Sequence, residues 1–376
     1  MKTIEENRVP IKIWTEDIEE SAVAQIKNLA NLPFAFHHVA IMPDVHAGLG
    51  MPIGGVLATE GIVVPNAVGV DIGCGMCAVK SSIHKSELTE FNIELLIRSI
   101  KYVIPLGFDW HPSAQDESLM PQNHDINAMK VVKNNFKAAL KQLGTLGGGN
   151  HFIEIQEDED GYIWIMIHSG SRNLGLKVCE HYAKKARYWL EKWHVPYFRE
   201  LEYFPIEIED ARMYMKEMQY CIEFALANRK LMMERCKETI ISIFPNATFD
   251  EMINIAHNYA AWEKHFDKKV LVHRKGATRA NKGEIGIIPG SQGTNSYIVE
   301  GLGNEESFMS CSHGAGRKLS RRQAIKNLNL EQEIENLDKL GIYHSITKQK
   351  DLDEAPSAYK DIEEIIASEL DLIRVC

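Results

Sequence analysis

The run Ser312-His313-Gly314-Ala315-Gly316-Arg317 sets a histidine directly before a glycine-rich turn and an arginine. Histidine can act as a covalent nucleophile. On phosphorus it would form a phosphoramidate, and the turn's backbone N–H groups would cradle the phosphate oxygens. Arg317 and Lys275 could then neutralise charge on the transferring group. The same residues also suit a turn histidine capping a helix that begins near Arg317. Both readings stand on the residues alone.

Other segments carry metal-ligand chemistry. Asp71-x-x-Cys74 follows an apolar run. A carboxylate and a thiolate three apart in a tight turn can face one point. With histidines from other loops they would make a mixed O, N and S site for a transition metal. Alone, the pair reads more readily as a turn aspartate before a small buried cysteine. His151, His168 and His257 each follow or end a glycine-rich or strand-end segment, and neutral imidazole is the commonest metal ligand. Their wide separation makes no local motif of the His-Glu-x-x-His kind. Cys74 and Cys77 form a Cys-x-x-Cys without a second pair, which gives little support to structural zinc. A redox pair should open a helix, whereas Cys77 enters a strand-like run and reads as a packed residue.

Ser291-Gln292-Gly293 after Pro289-Gly290 is a second phosphate-cradle pattern. The chain contains no Gly-x-x-x-x-Gly-Lys-Ser/Thr and no Gly-x-Ser-x-Gly, which excludes P-loop enzymes and the usual serine hydrolases.

The elements that must position these groups are short. Helical periodicity predicts helices over about Asp17–Ala30, Glu87–Val103, Asn127–Leu143, Leu176–Trp193, Glu209–Phe244, Asn329–Leu340 and Asp361–Leu370. Strand-like runs are His38–Met42, Val56–Thr59, Met76–Lys80, Tyr162–Ile167, Val270–His273, Ile285–Ile288 and Tyr297–Val299. Strands and helices interleave without a regular βαβ period. This predicts an α+β fold in one continuous domain over residues 1–376, with the chemistry in loops at the ends of rigid elements.

Composition is that of a globular chain: 376 residues, 45% hydrophobic and 25% charged. No signal peptide is legible, and no run of about 20 apolar residues would span a membrane. Seven scattered cysteines fit a reducing, cytoplasmic setting rather than a disulfide framework. The net charge of -10 argues against non-specific nucleic-acid binding, but basic residues cluster in His273–Lys282 and His313–Arg322, beside the motifs above.

Taken in order, these segments resemble the RtcB family of RNA-splicing ligases. The resemblance rests on Met42-Pro43-Asp44-Val45-His46, on the run from Ala67 to Met76, and on Gly149-Asn150-His151-Phe152-Ile153-Glu154. It continues through His168-Ser169-Gly170-Ser171-Arg172, His257-Asn258-Tyr259, Arg274-Lys275-Gly276-Ala277 and Ile288-Pro289-Gly290-Ser291. The last matches are Gly301 to Phe308, Ser312 to Arg317 and Ala358-Tyr359-Lys360-Asp361. Each motif is weak alone; the ordered set, over nearly the whole chain, is specific.

The resemblance implies short strands and interleaved helices around a central metal and nucleotide cleft. It implies two Mn²⁺ ions, one held by Asp71, Cys74 and His151, the other by Cys74, His168 and His257. A Cys and His set would by affinity take Zn²⁺, so manganese comes from the resemblance alone. It makes His313 the acceptor of GMP from GTP. It places Asn150, His151, Phe152, Ile153, Glu154, His257, Asn258, Pro289, Gly290, Ser291, Gln292, Ser296, Gly314, Ala315, Gly316 and Tyr359 around the nucleotide. Arg172, Lys275 and Arg317 would meet phosphates of GTP or RNA. The partner is RNA carrying a 3′-phosphate or 2′,3′-cyclic phosphate and a 5′-hydroxyl, and no membrane. The family's pattern closes on a Lys-Gly whose lysine lies against guanine. This sequence ends at Arg374-Val375-Cys376 without that lysine, so either Tyr359 stacks on the base with another residue replacing the lysine, or GTP is used less selectively.

Two other classes fit part of the pattern. A metal-dependent phosphoesterase opening cyclic phosphates needs the metal ligands but not His313. A non-catalytic RNA-end-binding protein needs neither. The presence of both His313 and the Gly-Ala-Gly-Arg turn favours the ligase.

Overall fold

A computed structural model describes residues 1–376. Helices and several small sheets interleave along the chain, as expected for an α+β protein. The chain falls into two compact units, one of residues 1–69, 182–212 and 257–376, the other of residues 70–181 and 213–256.

The first unit is built on a six-stranded sheet in the order Lys2–Ile4, Ile11–Ile13, Ala35–His46, Ile53–Thr59, Lys268–Lys275, Asn258–His265. Ala35–His46 is buried along almost its whole length because apolar clusters cover both its faces. That explains its near-continuous apolar run rather than a polar alternation. Its pairing with Ile53–Thr59 loses register between Ile41 and His46. Pro43, which has no N–H to give a ladder, lies in that interval, and so does Asp44. Asn258–His265 and Lys268–Lys275 form a hairpin whose corner residues, Phe266 and Asp267, both take positive φ. Two further pairings matter for chemistry. Ala277–Arg279 pairs with Ser310–Ser312, and the Ile285–Ile288, Tyr297–Gly301 and Ile373–Val375 strands form a three-stranded sheet.

The second unit carries a four-stranded sheet in the order Ile253–Ala256, Gly75–His84, Tyr162–Ser169, Phe152–Glu157. Its apolar face packs on Leu96 and Ile100 of helix Glu90–Val103 and on Met232, Met233, Cys236 and Ile240 of the long helix Glu209–Ile243. The methionines of that helix are core filler, as the sequence suggested.

The predicted helices are present with ends shifted by a few residues, and Arg172–Lys192 begins earlier than periodicity indicated. The predicted strands lie inside longer ones, except Ile285–Ile288, which coincides with its prediction. Strands Phe152–Glu157, Ile253–Ala256 and Asn258–His265 and helix Arg321–Asn327 had no clear sequence signal. Asn258–His265 contains an Ala-Ala pair and several polar residues. It is a strand because of its hairpin partner rather than its own propensity.

Candidate active site

In the second unit, strand pairing sets Gly75 opposite Ser169, and His168 opposite both Met76 and Phe152. Cys74 and His151 immediately precede two of these strands, so the ladder brings Cys74, His151 and His168 together. Their ligand atoms lie within 4.8 Å of one another. Cys74 Sγ is 3.5 Å from His151 Nε2 and 3.3 Å from His168 Nε2. Each ring is oriented from behind. His151 Nδ1 is 3.0 Å from the Leu146 carbonyl, and His168 Nδ1 is 2.8 Å from the Asn150 carbonyl. Those carbonyls anchor both rings through Nδ1 and direct both Nε2 atoms at the sulfur, the usual support of metal-bound histidine.

Asp71 Oδ2 stands 3.0 Å from His151 Nε2, so a carboxylate joins the set. Burial opposes its ionisation, but His151 and the Cys74 thiol more than offset this and hold Asp71 below the ordinary carboxyl range. Burial, followed by the Asp71 charge, pushes the Cys74 thiol well up. A cation entering the cluster would therefore displace a proton from sulfur. Gly170 is required here, because a Cβ on it would lie 2.2 Å from Asp71 Oδ1. The donor chemistry, one sulfur, two imidazole nitrogens and one carboxylate, fits a transition metal ion.

Arg229 organises this cluster from below. It is fully buried. Its Nη1 donates to the carbonyls of Gly73 at 2.9 Å and Ser169 at 2.8 Å, and its Nε donates to Asn254 Oδ1 at 2.8 Å. It thus ties the Asp71–Cys74 turn to the residue that follows His168. No sequence motif pointed to it.

Arg172 opens its helix with φ of 57°. Its Nε donates to Thr145 Oγ1 at 2.9 Å and its Nη2 to the Gly107 carbonyl at 2.8 Å. Burial lowers its pKa, and the Asp71 charge opposes that. Phe152 lies edge-on to His168 with ring centroids 5.6 Å apart. Ile153 and Glu154 follow on the same strand. Burial raises Glu154 to about 7, against the hydrogen bond from Gln156.

In the first unit, His313 follows strand Ser310–Ser312. Its Nδ1 is 2.6 Å from Asp44 Oδ2, which also accepts the His313 N–H at 2.9 Å. Asp44 is wholly buried, and its Oδ1 accepts no hydrogen bond. An Nδ1–H donated to Asp44 leaves the lone pair on Nε2, the form a nucleophile needs. One residue earlier, the Ser312 N–H donates to Glu369 Oε2 at 2.9 Å. Burial, with Asp44 adding to it, raises Glu369 to about 8. His257 belongs to this unit, its ring centroid 4.7 Å from that of His313. Gly276, at φ of 59°, would place a Cβ 3.0 Å from His313 Cε1, so a side chain there would press on the ring. Asn258 Oδ1 accepts the Gly276 N–H at 2.7 Å. Burial holds His46 near 4, and it keeps Nδ1 2.9 Å from the Asp44 carbonyl.

The other expected nucleotide residues also gather in this unit. Gly314 approaches the Pro289 carbonyl, where a Cβ would sit at 3.4 Å. The Gly290 N–H donates to Ser296 Oγ at 3.1 Å, and Ser291 closes a turn onto Thr294. Gln292 Nε2 donates to the Glu354 carbonyl at 3.1 Å. Ala315 is buried, and the Gly316 carbonyl accepts the Lys360 N–H.

All three expected phosphate contacts are engaged within the protein, Arg172 as described above. Lys275 Nζ donates to the carbonyls of Leu49 at 2.6 Å and Met51 at 2.8 Å. Arg317 binds Glu354 at 2.5 Å and the Asp353 carbonyl at 2.6 Å, and it lies 4.9 Å from the centroid of the Tyr359 ring. Arg317 and Glu354 together fix Tyr359, whose hydroxyl also meets Glu354. Arg321, not Arg317, begins the next helix, which Ser320 caps. The basic cluster at His273–Lys282 is split: Arg274 is fully buried and forks onto Glu263 at 2.5 and 2.9 Å, Lys275 is buried, and Lys282 is exposed.

No helix is long and apolar enough to cross a membrane. Residues 25–376 match the protein family described as tRNA-splicing ligase RtcB. The chain is 39% identical over 394 residues to the RNA-splicing ligase RtcB of Escherichia coli K12, covering 97% of this chain and 94% of that protein. It is 33% identical over 434 residues to the tRNA-splicing ligase RtcB of Methanococcus maripaludis, covering 95% and 90%. With its counterpart in Nanoarchaeum equitans the identity is 32% over 441 residues, covering 95% and 91%.

Proposed function

As the chain belongs to the RtcB family of RNA-splicing ligases, we propose that it joins RNA 3′-phosphate or 2′,3′-cyclic phosphate ends to 5′-hydroxyl ends. It does so with GTP and manganese, through a guanylylated His313. The observation that carries this reading is the Asp44–His313 pair, a histidine fixed by a buried carboxylate with Nε2 left as the free lone pair. An esterase working through the metal ligands alone does not require a histidine nucleophile.

His313 Nε2 attacks the α-phosphorus of GTP. A P–N bond forms, the bond to the bridging oxygen breaks, and pyrophosphate leaves. Asp44 holds the imidazole in place and offsets the positive charge that grows on it. A 2′,3′-cyclic phosphate is first opened by water, which breaks the P–O2′ bond and leaves a 3′-phosphate. A 3′-phosphate oxygen then attacks the guanylate phosphorus, the P–N bond breaks, and His313 recovers its lone pair. In the last step the 5′-hydroxyl oxygen attacks the RNA 3′-phosphorus and GMP departs. Asp71, Cys74 and His151 would hold one Mn²⁺ and Cys74, His168 and His257 the second; bound there, the ions would supply positive charge to offset that on the phosphates. Asn150 through Glu154, Asn258, Pro289 through Gln292, Ser296 and Gly314 through Gly316 surround the guanylate. Tyr359 stacks on its base, and Arg172, Lys275 and Arg317 meet the phosphates. The setting is RNA repair or tRNA splicing in the cytoplasm, by one domain spanning residues 1–376.

The test is a joining assay. Two RNA strands, one with a 3′-phosphate and one with a 5′-hydroxyl, are incubated with the protein, GTP and Mn²⁺. A ligated strand dependent on all three supports the proposal. Opening of cyclic phosphate without joining would replace it with the esterase reading.

A further inference from the structure

Phe108 is 99% exposed, and Tyr102 nearby is 90% exposed. An exposed phenyl ring on a slack loop would mean little, but this loop is held along its length. The Leu146 N–H donates to the Pro105 carbonyl, Gly107 to Gly147, His111 to Lys141 and Gln115 to Leu140, all at 2.8–3.0 Å. The backbone therefore presents Phe108 from a fixed position, and folding leaves its ring in water.

That position adjoins the metal cluster. Gly107 hydrogen-bonds Gly147, four residues before the ligand His151, and accepts Arg172 Nη2 at 2.8 Å. A Cβ on Gly148 would lie 3.6 Å from Gly107 Cα. Gly148, Gly149 and Asn150 are themselves exposed, so the loop's rim and the approach to His151 are continuous. Three cations reach the loop, Arg172 at the Gly107 carbonyl, Lys141 at the Pro112 carbonyl and Arg235 at His111 and Gln115, against Asp109 within it and Asp116 and Glu117 at its far end. A solvent-facing aromatic beside basic groups is the pattern by which proteins hold single-stranded nucleic acid, through base stacking and phosphate attraction.

We propose that Phe108 is a stacking platform for the RNA base next to the 3′-phosphate that enters the metal cluster. The proposal rests on the ligase reading above and adds a base-binding subsite to it. Stacking is indifferent to base identity, because every base has a π-face. The subsite thus grips RNA ends of any sequence while Arg172 and the cluster handle the phosphate.

The experiment measures the Kd of a fluorescent single-stranded RNA bearing a 3′-phosphate, without GTP, by anisotropy. Wild type, Phe108→Ala and Phe108→Tyr are compared, each with RNA that is intact or abasic at its 3′-terminal nucleotide. Full exposure of Phe108 predicts unchanged melting temperatures in both variants. The expected result is roughly 5- to 150-fold weaker binding by Phe108→Ala, the range of one lost stack, with Phe108→Tyr binding like wild type. Abasic RNA should erase the difference between wild type and Phe108→Ala. Equal binding of intact RNA by wild type and Phe108→Ala overturns the platform and leaves the ligase reading untouched. So does a loss that persists with abasic RNA. A wild type that binds no RNA at all overturns both.

Discussion

Asp44 Oδ2 lies 2.6 Å from His313 Nδ1, and the same oxygen accepts the His313 backbone N–H. One buried carboxylate oxygen thus fixes the ring and the backbone of the residue proposed to carry GMP. Asp44→Asn keeps an amide oxygen that can accept from Nδ1 and from the His313 backbone N–H, but it removes the carboxylate charge that offsets the imidazolium. Guanylylation should fall by roughly 10²–10⁴, the scale seen when a carboxylate behind a catalytic histidine is lost. Single-turnover label incorporation, with circular dichroism to confirm folding, measures it. Near-normal labelling would show that the Asp44 charge does not support the attack by His313.

Arg229 acts on the other cluster without touching a ligand atom. Arg229→Met removes its donors from the carbonyls of Gly73 and Ser169 and from Asn254. Each buried acceptor left unsatisfied costs about 1–3 kcal/mol. The variant should melt lower and bind Mn²⁺ about 10- to 100-fold more weakly, the usual effect of losing support behind metal ligands. Equilibrium dialysis below the variant's melting temperature checks this. Unchanged affinity in a destabilised protein would make Arg229 a folding residue only.

Glu369 gives a pH dependence with a definite sign. Its folded pKa is raised to about 8, so the native state keeps a proton that the unfolded chain has lost. Stability falls wherever the native state binds more protons than the unfolded one. This group therefore lowers stability as pH rises through the interval from the ordinary carboxyl range to about 8. Glu369→Gln mimics the protonated form and preserves acceptance from the Ser312 N–H. Its melting temperature should match wild type near pH 5 and exceed it increasingly toward pH 8. A constant offset across that range would mean that Glu369 is already ionised in the fold.

Much of the site was legible because its residues sit where the chain's punctuation falls. His313, Cys74 and His151 flank glycine turns, and strand register does the rest, as with His168 opposite Phe152. Asp44 was visible only as part of a motif. Its pairing with His313 spans 269 positions and depends on a register break that no local pattern announces. Arg229 lies in the middle of a helix whose periodicity marks it as neither core nor surface. Arg274 shows what clustering leaves open, since within a run of basic residues it is a buried fork onto Glu263. Asn258–His265 is a strand by partnership, and partnership is what a linear reading lacks.

The most direct measurement is transfer of label from α-labelled GTP to the denatured protein in the presence of Mn²⁺, with His313→Ala alongside. The expected result is one covalently bound guanylate on the wild type, absent from His313→Ala and absent after chelation of the metal. Label retained by His313→Ala, or no label on a folded, metal-loaded wild type, would contradict the guanylylated histidine.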